Sequence, residues 1–185
     1  MSQPFDDVAT DRELEILTWD GFGQACRELA RMVVASAWMP DIVIAVARGG
    51  LLPAGAISYA LGIKAMGTMN VEFYTGVGET LPEPVVLPPF MDTSELPGRK
   101  VLVVDDVADS GKTLAMVMDL IAQHGIPGDT DGDGVANEFV PAQARSAVLY
   151  TKPTSIIEPD YTWKHTGEWI AFPWSDKPPV TAEQD

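Results

Sequence analysis

Residues 101–114 read VLVVDDVADSGKTL, and this stretch decides the fold class. Four apolar residues lead into Asp105, Asp106 and Asp109, and then into Ser110-Gly111-Lys112-Thr113. A short apolar run that ends in a polar, Gly-containing turn predicts a buried parallel strand feeding a helix. The carboxylates then fall at the carboxyl end of a central strand, where open α/β sheets bind ligands. Backbone N–H groups at the start of the helix form a cradle for an anion. Carboxylates beside such a cradle suit a ligand with phosphate and hydroxyl groups and a divalent cation. The stretch is not a P-loop, because that motif needs a glycine five residues before the Gly-Lys pair and Asp106 stands there.

Outward from this segment the chain alternates. Asp20 is a candidate cap for a helix running to about Ala37, with Phe22, Cys26, Leu29 and Val33 at helical spacing. Ile42 to Ala47 reads as a buried strand, followed by the turn Arg48-Gly49-Gly50 and a helix from Leu51 to Leu61 closed by Gly62. Lys64 to Tyr74 reads as a strand, Lys100 to Asp106 as the central strand, Gly111 to His124 as a helix and Ala144 to Tyr150 as the next strand. Residues 75–98 are rich in Pro and Gly and poorly periodic, a candidate lid. Strands alternating with helices imply an α/β fold with a twisted, mainly parallel sheet and right-handed crossovers.

Composition bounds the function. A chain of 185 residues with 46% hydrophobic and 21% charged residues can bury a full core as one domain. The net charge of −15, from 27 acids and 12 bases, argues against nucleic-acid or anionic-membrane partners. No apolar run reaches the ~20 residues of a membrane span. Met1 to Asp11 has no secretory core, and the single Cys26 excludes an internal disulfide, so the expected location is the cytoplasm. Cys26 lies on an apolar helix face and reads as a structural thiol.

The segment 101–114 closely resembles the phosphoribosyl-pyrophosphate (PRPP) signature of the type I phosphoribosyltransferases, with Ser110 in place of the usual Thr. The resemblance implies that Asp105 and Asp106 hold the ribose hydroxyls, directly or through Mg²⁺ (with Mn²⁺ as a substitute). It implies that Asp109, Ser110, Gly111, Lys112 and Thr113 wrap the 5′-phosphate. Arg48, Gly49 and Gly50 match the family's pyrophosphate loop. Three further matches narrow the resemblance to the bacterial xanthine-guanine (6-oxopurine) phosphoribosyltransferases. These are Thr18-Trp19-Asp20 before the first helix, Lys152-Pro153 after a buried strand, and the late segment Trp169-Ile170-Ala171-Phe172-Pro173-Trp174. They imply that Lys152 meets O6 of the purine, Trp169 stacks on its ring and the Ile170 backbone reads its C2 edge. Asp109 would manage the proton lost by the base, and Arg48 would neutralise pyrophosphate. The substrates implied are PRPP and a purine base, the product a nucleoside monophosphate for purine salvage, and the assembly a homodimer or homotetramer. Trp163, Phe172 and Trp174 read as core or interface residues. The domain divides into a core at 12–155, a base-binding hood at 156–177 and a surface insertion at 126–143.

Two departures and two rivals stand beside this reading. Ser175 takes the place of the family's acidic residue after Pro-Trp, with Asp176 one position later. In the insertion, Asp129, Asp131 and Asp133 match the first half of a calcium loop, with Val140 where its closing Glu belongs. A weak Ca²⁺ site there stands against a solvated Asp/Gly-rich hairpin. The functional rivals are a PRPP- or nucleotide-sensing regulator with the same fold and a transferase acting on another base.

Overall fold

The computed structural model describes residues 14–76, 79–90, 98–124, 126–128, 138–140 and 142–181. The elements run β1 (Leu14–Ile16), α1 (Trp19–Ala35), β2 (Ile42–Ala47), α2 (Leu51–Leu61), β3 (Met66–Gly76), β4 (Glu79–Phe90), β5 (Lys100–Ala108), α3 (Lys112–His124), β6 (Ile126–Gly128), β7 (Glu138–Val140), β8 (Gln143–Thr151), β9 (Tyr161–His165) and β10 (Trp169–Ala171). Six strands form the main sheet in the order β4-β3-β2-β5-β8-β9. All its neighbours pair in parallel except β3 with β4, which is antiparallel. This is the twisted, mainly parallel α/β sheet that the alternation of elements predicts.

The apolar runs explain why the central strands sit where they do. Successive residues of a strand point to opposite faces, so a strand apolar at every position can be buried on both. Val43, Ala45, Leu102, Val104, Ala147 and Leu149 enter one core cluster with α1 and α2. Ile42, Ile44, Val46, Val101, Val103 and Val148 enter a second with α3, through Leu114, Val117 and Ile121. On α1, Phe22, Cys26, Leu29 and Val33 are all buried, as their spacing predicts. Burial pushes the Cys26 thiol up to about 12, so it stays protonated and unreactive. Among the described residues no helix is long and apolar enough to cross a membrane.

Several local expectations are corrected. The cap of α1 is Thr18, not Asp20. Thr18 is extended and its Oγ1 accepts from the Gly21 N–H at 3.1 Å, while Asp20 lies inside the first turn. The helix ends at Ala35, and Ser36 turns its N–H back onto carbonyls of the last turn. The segment expected to be poorly periodic holds β4, an edge strand running antiparallel to β3 with three register shifts. Edge strands tolerate the prolines that hid it, since one side of the ladder is free. The stretch from Ile156 divides. Tyr161–His165 is the outer strand of the main sheet, paired with β8, whereas Trp169–Ala171 leaves it and pairs in parallel with β1. In the insertion, β6 and β7 form an antiparallel pair. The calcium-loop positions Asp129, Asp131 and Asp133 lie outside the described residues.

The turn after β5 depends on a glycine. Gly111 has φ +72°, and a Cβ there would press on the Ser155 hydroxyl and on Ile157 Cγ2. Gly62 has nearly the same φ, +73°, but a Cβ added to it would meet only open space. Gly62→Ala should therefore lose about 1–2 kcal/mol, from backbone conformation alone. Gly111→Ala should lose a further ~1–3 kcal/mol through overpacking. Thermal melts of the two variants check this, and equal losses would show that the 155–157 turn yields freely.

Candidate active site

The parallel strands β2, β5 and β8 are adjacent, so their carboxyl ends deliver three turns to one edge of the sheet. From β2 the chain crosses to β3 on one side, and from β5 it crosses to β8 on the other. The gap between β2 and β5 is thus the topological switch point, where open sheets form a ligand crevice.

The turn after β2 begins with a cis peptide between Ala47 and Arg48. Arg48 is exposed, while Gly49 and Gly50 pack inward. A Cβ on Gly49 would coincide with the carboxylate of Asp106, and one on Gly50 with the carbonyls of Val46 and Val104. Both glycines are needed for close approach, and the first of them lets Asp106 reach across the crevice. The Gly50 N–H donates to the Val46 carbonyl at 2.9 Å, so it is not available as the anion ligand the sequence suggested. Its contribution is to let the turn close.

β5 runs two residues past the expected end, to Ala108, so Asp105 and Asp106 lie in its last four residues, with the Asp106 N–H donating to Asp105 Oδ1 at 2.8 Å. Burial pushes the Asp105 carboxyl well above its ordinary range, and the neighbouring Asp106 charge adds to this. Burial also raises Asp106, against the lowering effect of backbone N–H donors. Two acids held together at this cost suit a site that gains a cation with its ligand. Two carboxylates do not make a protein-only cage, and among the described residues no group of three metal-ligating side chains occurs. The donor set fits a hard divalent ion such as Mg²⁺, which keeps several waters and takes other ligands from a bound phosphate.

The turns after β5 and β8 brace each other. The Lys152 N–H donates to the Ala108 carbonyl, and the Ile156 N–H to the Ser110 carbonyl, both at 3.0 Å. Thr154 Oγ1 donates to the Asp109 carbonyl at 3.0 Å and lies 3.5 Å from its carboxylate. Ser110 to Thr113 wind into the start of α3, whose first-turn N–H groups have no partner within the helix; the Lys112 N–H lies 3.5 Å from Ser110 Oγ.

Asp109, Lys152, Trp169 and Ile170 line one cavity of about 370 Å³. The base-recognition residues inferred from sequence are thus brought together, and with Asp109. Lys152 is held by a hydrogen bond from its Nζ to the Glu168 carbonyl. Trp169 is 63% exposed, so its ring is offered to the cavity mouth and not spent on the core. Ile170 is buried and fixes the strand. Ser175 and Asp176 also line the cavity. Trp163, Phe172 and Trp174 pack against the first core cluster as expected, and Phe172 forms part of the cavity wall as well. Leu14 and Val107 were missed. No local signal marks Leu14, which reaches the cavity only through its pairing opposite Trp169. Thr154 and Ser155 carried a signal in their hydroxyls just after Lys152.

Comparison with known proteins agrees with this geometry. The model of the phosphoribosyl transferase domain matches residues 13–178. The chain is 27% identical over 164 residues to a xanthine-guanine phosphoribosyltransferase of Gluconobacter oxydans, covering 88% of this chain and 84% of the relative. It is 29% identical over 167 residues to the enzyme of that name from Cereibacter sphaeroides, covering 85% and 84%. The crystal structure of a purine phosphoribosyltransferase from Pyrococcus horikoshii shares its fold with a TM-score of 0.68 at 32% identity, over 91% of this chain and 98% of that one. The chain belongs to the phosphoribosyltransferase family.

Proposed function

We propose that this protein transfers the phosphoribosyl group of PRPP to a 6-oxopurine, giving a nucleoside 5′-monophosphate and pyrophosphate in purine salvage. One observation carries the reading: a single cavity gathers Asp109, Lys152, Trp169 and Ile170 beside the phosphate turn. The relatives named for xanthine, guanine and purine transfer support it.

In this reading the protein orients two substrates and makes no covalent bond to either. A base nitrogen forms its bond to C1′ of the ribose as the C1′–O bond to pyrophosphate breaks, through an oxocarbenium-like transition state. The 5′-phosphate rests on the N–H groups of 110–113 at the start of α3. Arg48 and the Gly49 N–H face the departing pyrophosphate across the crevice. Asp105 and Asp106 take the ribose hydroxyls and would hold Mg²⁺, which when bound offsets the charge of the leaving group. Lys152 donates to O6, and its bond to the Glu168 carbonyl aims the ammonium. Trp169 covers the ring, and the backbone at Ile170 meets the C2 edge. Asp109 accepts the proton that the base releases, steadied by Thr154. With both substrates seated, the cavity keeps water from the carbocation-like centre.

The reading is tested by offering guanine, xanthine, hypoxanthine, adenine and orotate with PRPP and Mg²⁺ and following nucleotide formation. Turnover should be confined to the 6-oxopurines, and Lys152→Ala should weaken their binding far more than that of adenine, read as competitive inhibition, since adenine has no carbonyl to meet the ammonium. Equal weakening of every base would assign Lys152 a structural part only. Asp109→Asn should lower kcat by ~10²–10⁴ while leaving PRPP affinity nearly unchanged, the usual loss for one acid–base group. Undiminished turnover in that variant would remove Asp109 from the chemistry.

Asp105 yields a prediction about pH. A carboxyl raised in the folded state binds its proton more tightly there than in the unfolded chain. Its stabilising contribution is complete below the ordinary carboxyl value of 3.8 and is lost as pH rises through the raised value. Ligand-free Asp105→Asn should therefore melt higher than the wild type at pH 7, by about 2–4 °C for ~1 kcal/mol at this size. The difference should close on acidification toward pH 4, and the variant should lose turnover. A variant that melts lower at pH 7 would mean that the ionised carboxylate is already compensated.

A further inference from the structure

The hood strand β10 carries the backbone that faces the cavity, yet it is not part of the main sheet. Its only strand partner among the described residues is β1, with Leu14 opposite Trp169, Glu15 opposite Ile170 and Ile16 opposite Ala171. What fixes β1 therefore fixes one wall of the base slot. Leu14, at the cavity mouth, and Ile16 are 50% and 66% exposed, while the side chain of Glu15 turns the other way and is only 17% exposed.

The Glu15 carboxylate meets two donors of the main sheet. Lys164 Nζ donates to both of its oxygens, at 2.8 and 2.7 Å, and the Tyr150 hydroxyl donates to Oε1 at 3.3 Å. Tyr150 on β8 and Lys164 on β9 are register partners, so the carboxylate sits over one rung of the sheet. Tyr150 is fully buried, and its ring also meets Phe172 of the cavity wall edge-on at 5.9 Å. Two residues beyond Tyr150 stands Lys152, and four beyond Lys164 stands Glu168, whose carbonyl aims the Lys152 ammonium. One carboxylate thus joins the strands leading to both sides of the slot. An exposed ion pair would contribute little. A half-buried carboxylate with three charge-assisted or hydroxyl contacts has a defined position and loses it when a partner is removed.

We propose that Glu15 is a positioning residue for base recognition: its carboxylate fixes β1 and β10 against β8 and β9, and so sets the gap between Lys152 and the Ile170 backbone. This rests on the purine-transfer reading. The 6-oxopurines share O6 and differ at C2, so the gap controls how well the C2 edge fits once O6 is engaged. Removing Glu15 should alter base affinity and the choice among these bases, and leave PRPP binding and chemistry largely intact.

The test is steady-state kinetics of the wild type, Glu15→Ala, Glu15→Gln, Lys164→Met and the double variant Glu15→Ala/Lys164→Met, with each 6-oxopurine, PRPP and Mg²⁺. We expect Glu15→Ala to raise the KM for base about tenfold, equivalent to ~1.4 kcal/mol, and to change the guanine-to-xanthine preference. The KM for PRPP and kcat should stay within about twofold. Lys164→Met should give the same pattern, the double variant should be no worse than either single one, and Glu15→Gln, which keeps an acceptor oxygen, should recover part of the loss. Unchanged base KM and preference would overturn the proposal, as would a uniform fall in kcat, both KM values and melting temperature. Amide hydrogen exchange without substrate gives an independent readout. In Glu15→Ala the amides of 169–171 should exchange about tenfold faster while those of 148–150 stay protected, and unchanged exchange at 169–171 would also overturn it. A wild type that converts no 6-oxopurine sinks the purine reading by itself and leaves the exchange result to judge Glu15.

Discussion

Asp106 reaches across the gap between β2 and β5 and fills the space that a side chain on residue 49 would need. The crevice depends on that interpenetration. The sheet supplies two parallel strands whose ends are one strand spacing apart, about 4.8 Å. A loop from each must fold over the same edge. Only a residue without a Cβ leaves room for the carboxylate, and only at a switch point do the two crossovers depart in opposite directions and keep the edge open. Gly50 serves the same end from the other side, since its N–H turns back to Val46 and its missing Cβ spares the carbonyl of Val104. The two turns are a single structure, shaped from both strands at once.

That structure holds an electrostatic tension. The chain carries −15, and its crevice places two acids where burial raises both. A site optimised for the stability of the empty protein would not keep them. They fit a bound state in which ligand hydroxyls or a divalent ion carried by the ligand meet the carboxylates. In the proposed reading the PRPP anion would be met by neutral dipoles at the start of α3 and by Arg48, which is exposed. On that reading substrate charge would be handled by N–H groups, one base and a carried cation, a route by which so acidic a protein could bind a polyanion.

The fold was legible in the sequence wherever burial is two-sided. Ile42–Val46 and Val101–Val104 are apolar at every position because α-helices cover both faces, and such runs leave little else for the chain to be. The turns were legible where glycine or carboxylate chemistry is dense, at residues 48–50 and 105–113. Legibility failed where the deciding partner is remote or one face is free. β4 is an edge strand with prolines and register shifts, so neither alternation nor apolar continuity marks it. Thr18 and Asp20 both fit a helix cap by type, and only the extended backbone at Thr18 chose between them. Gly50 looked like an anion ligand because its sequence context cannot reveal that its N–H is already engaged. Leu14 and Glu15 carried no local signal, for their partners lie at the other end of the chain.

The cavity lined by Lys152 and Trp169 shows why those remote partners matter. Lys152 follows the deeply buried strand β8, and the exposed ring of Trp169 comes from a three-residue strand outside the main sheet. A short strand with one neighbour is weakly determined by its own hydrogen bonds. Its position must come from side chains, and here three kinds supply it. Phe172 and Trp174 stack at 4.8 Å, and Trp174 meets Phe22 of α1 edge-on at 5.3 Å, which fixes the strand's exit. Ile170 enters the core and fixes its depth. Glu15 meets Lys164 and Tyr150 and fixes its lateral register. Apolar packing is non-directional, whereas hydrogen bonds to a charged group are directional and stronger. In the proposed reading, discrimination between bases that differ by one small substituent would draw on this constraint, a carboxylate behind the β1–β10 wall that ties it to β8 and β9.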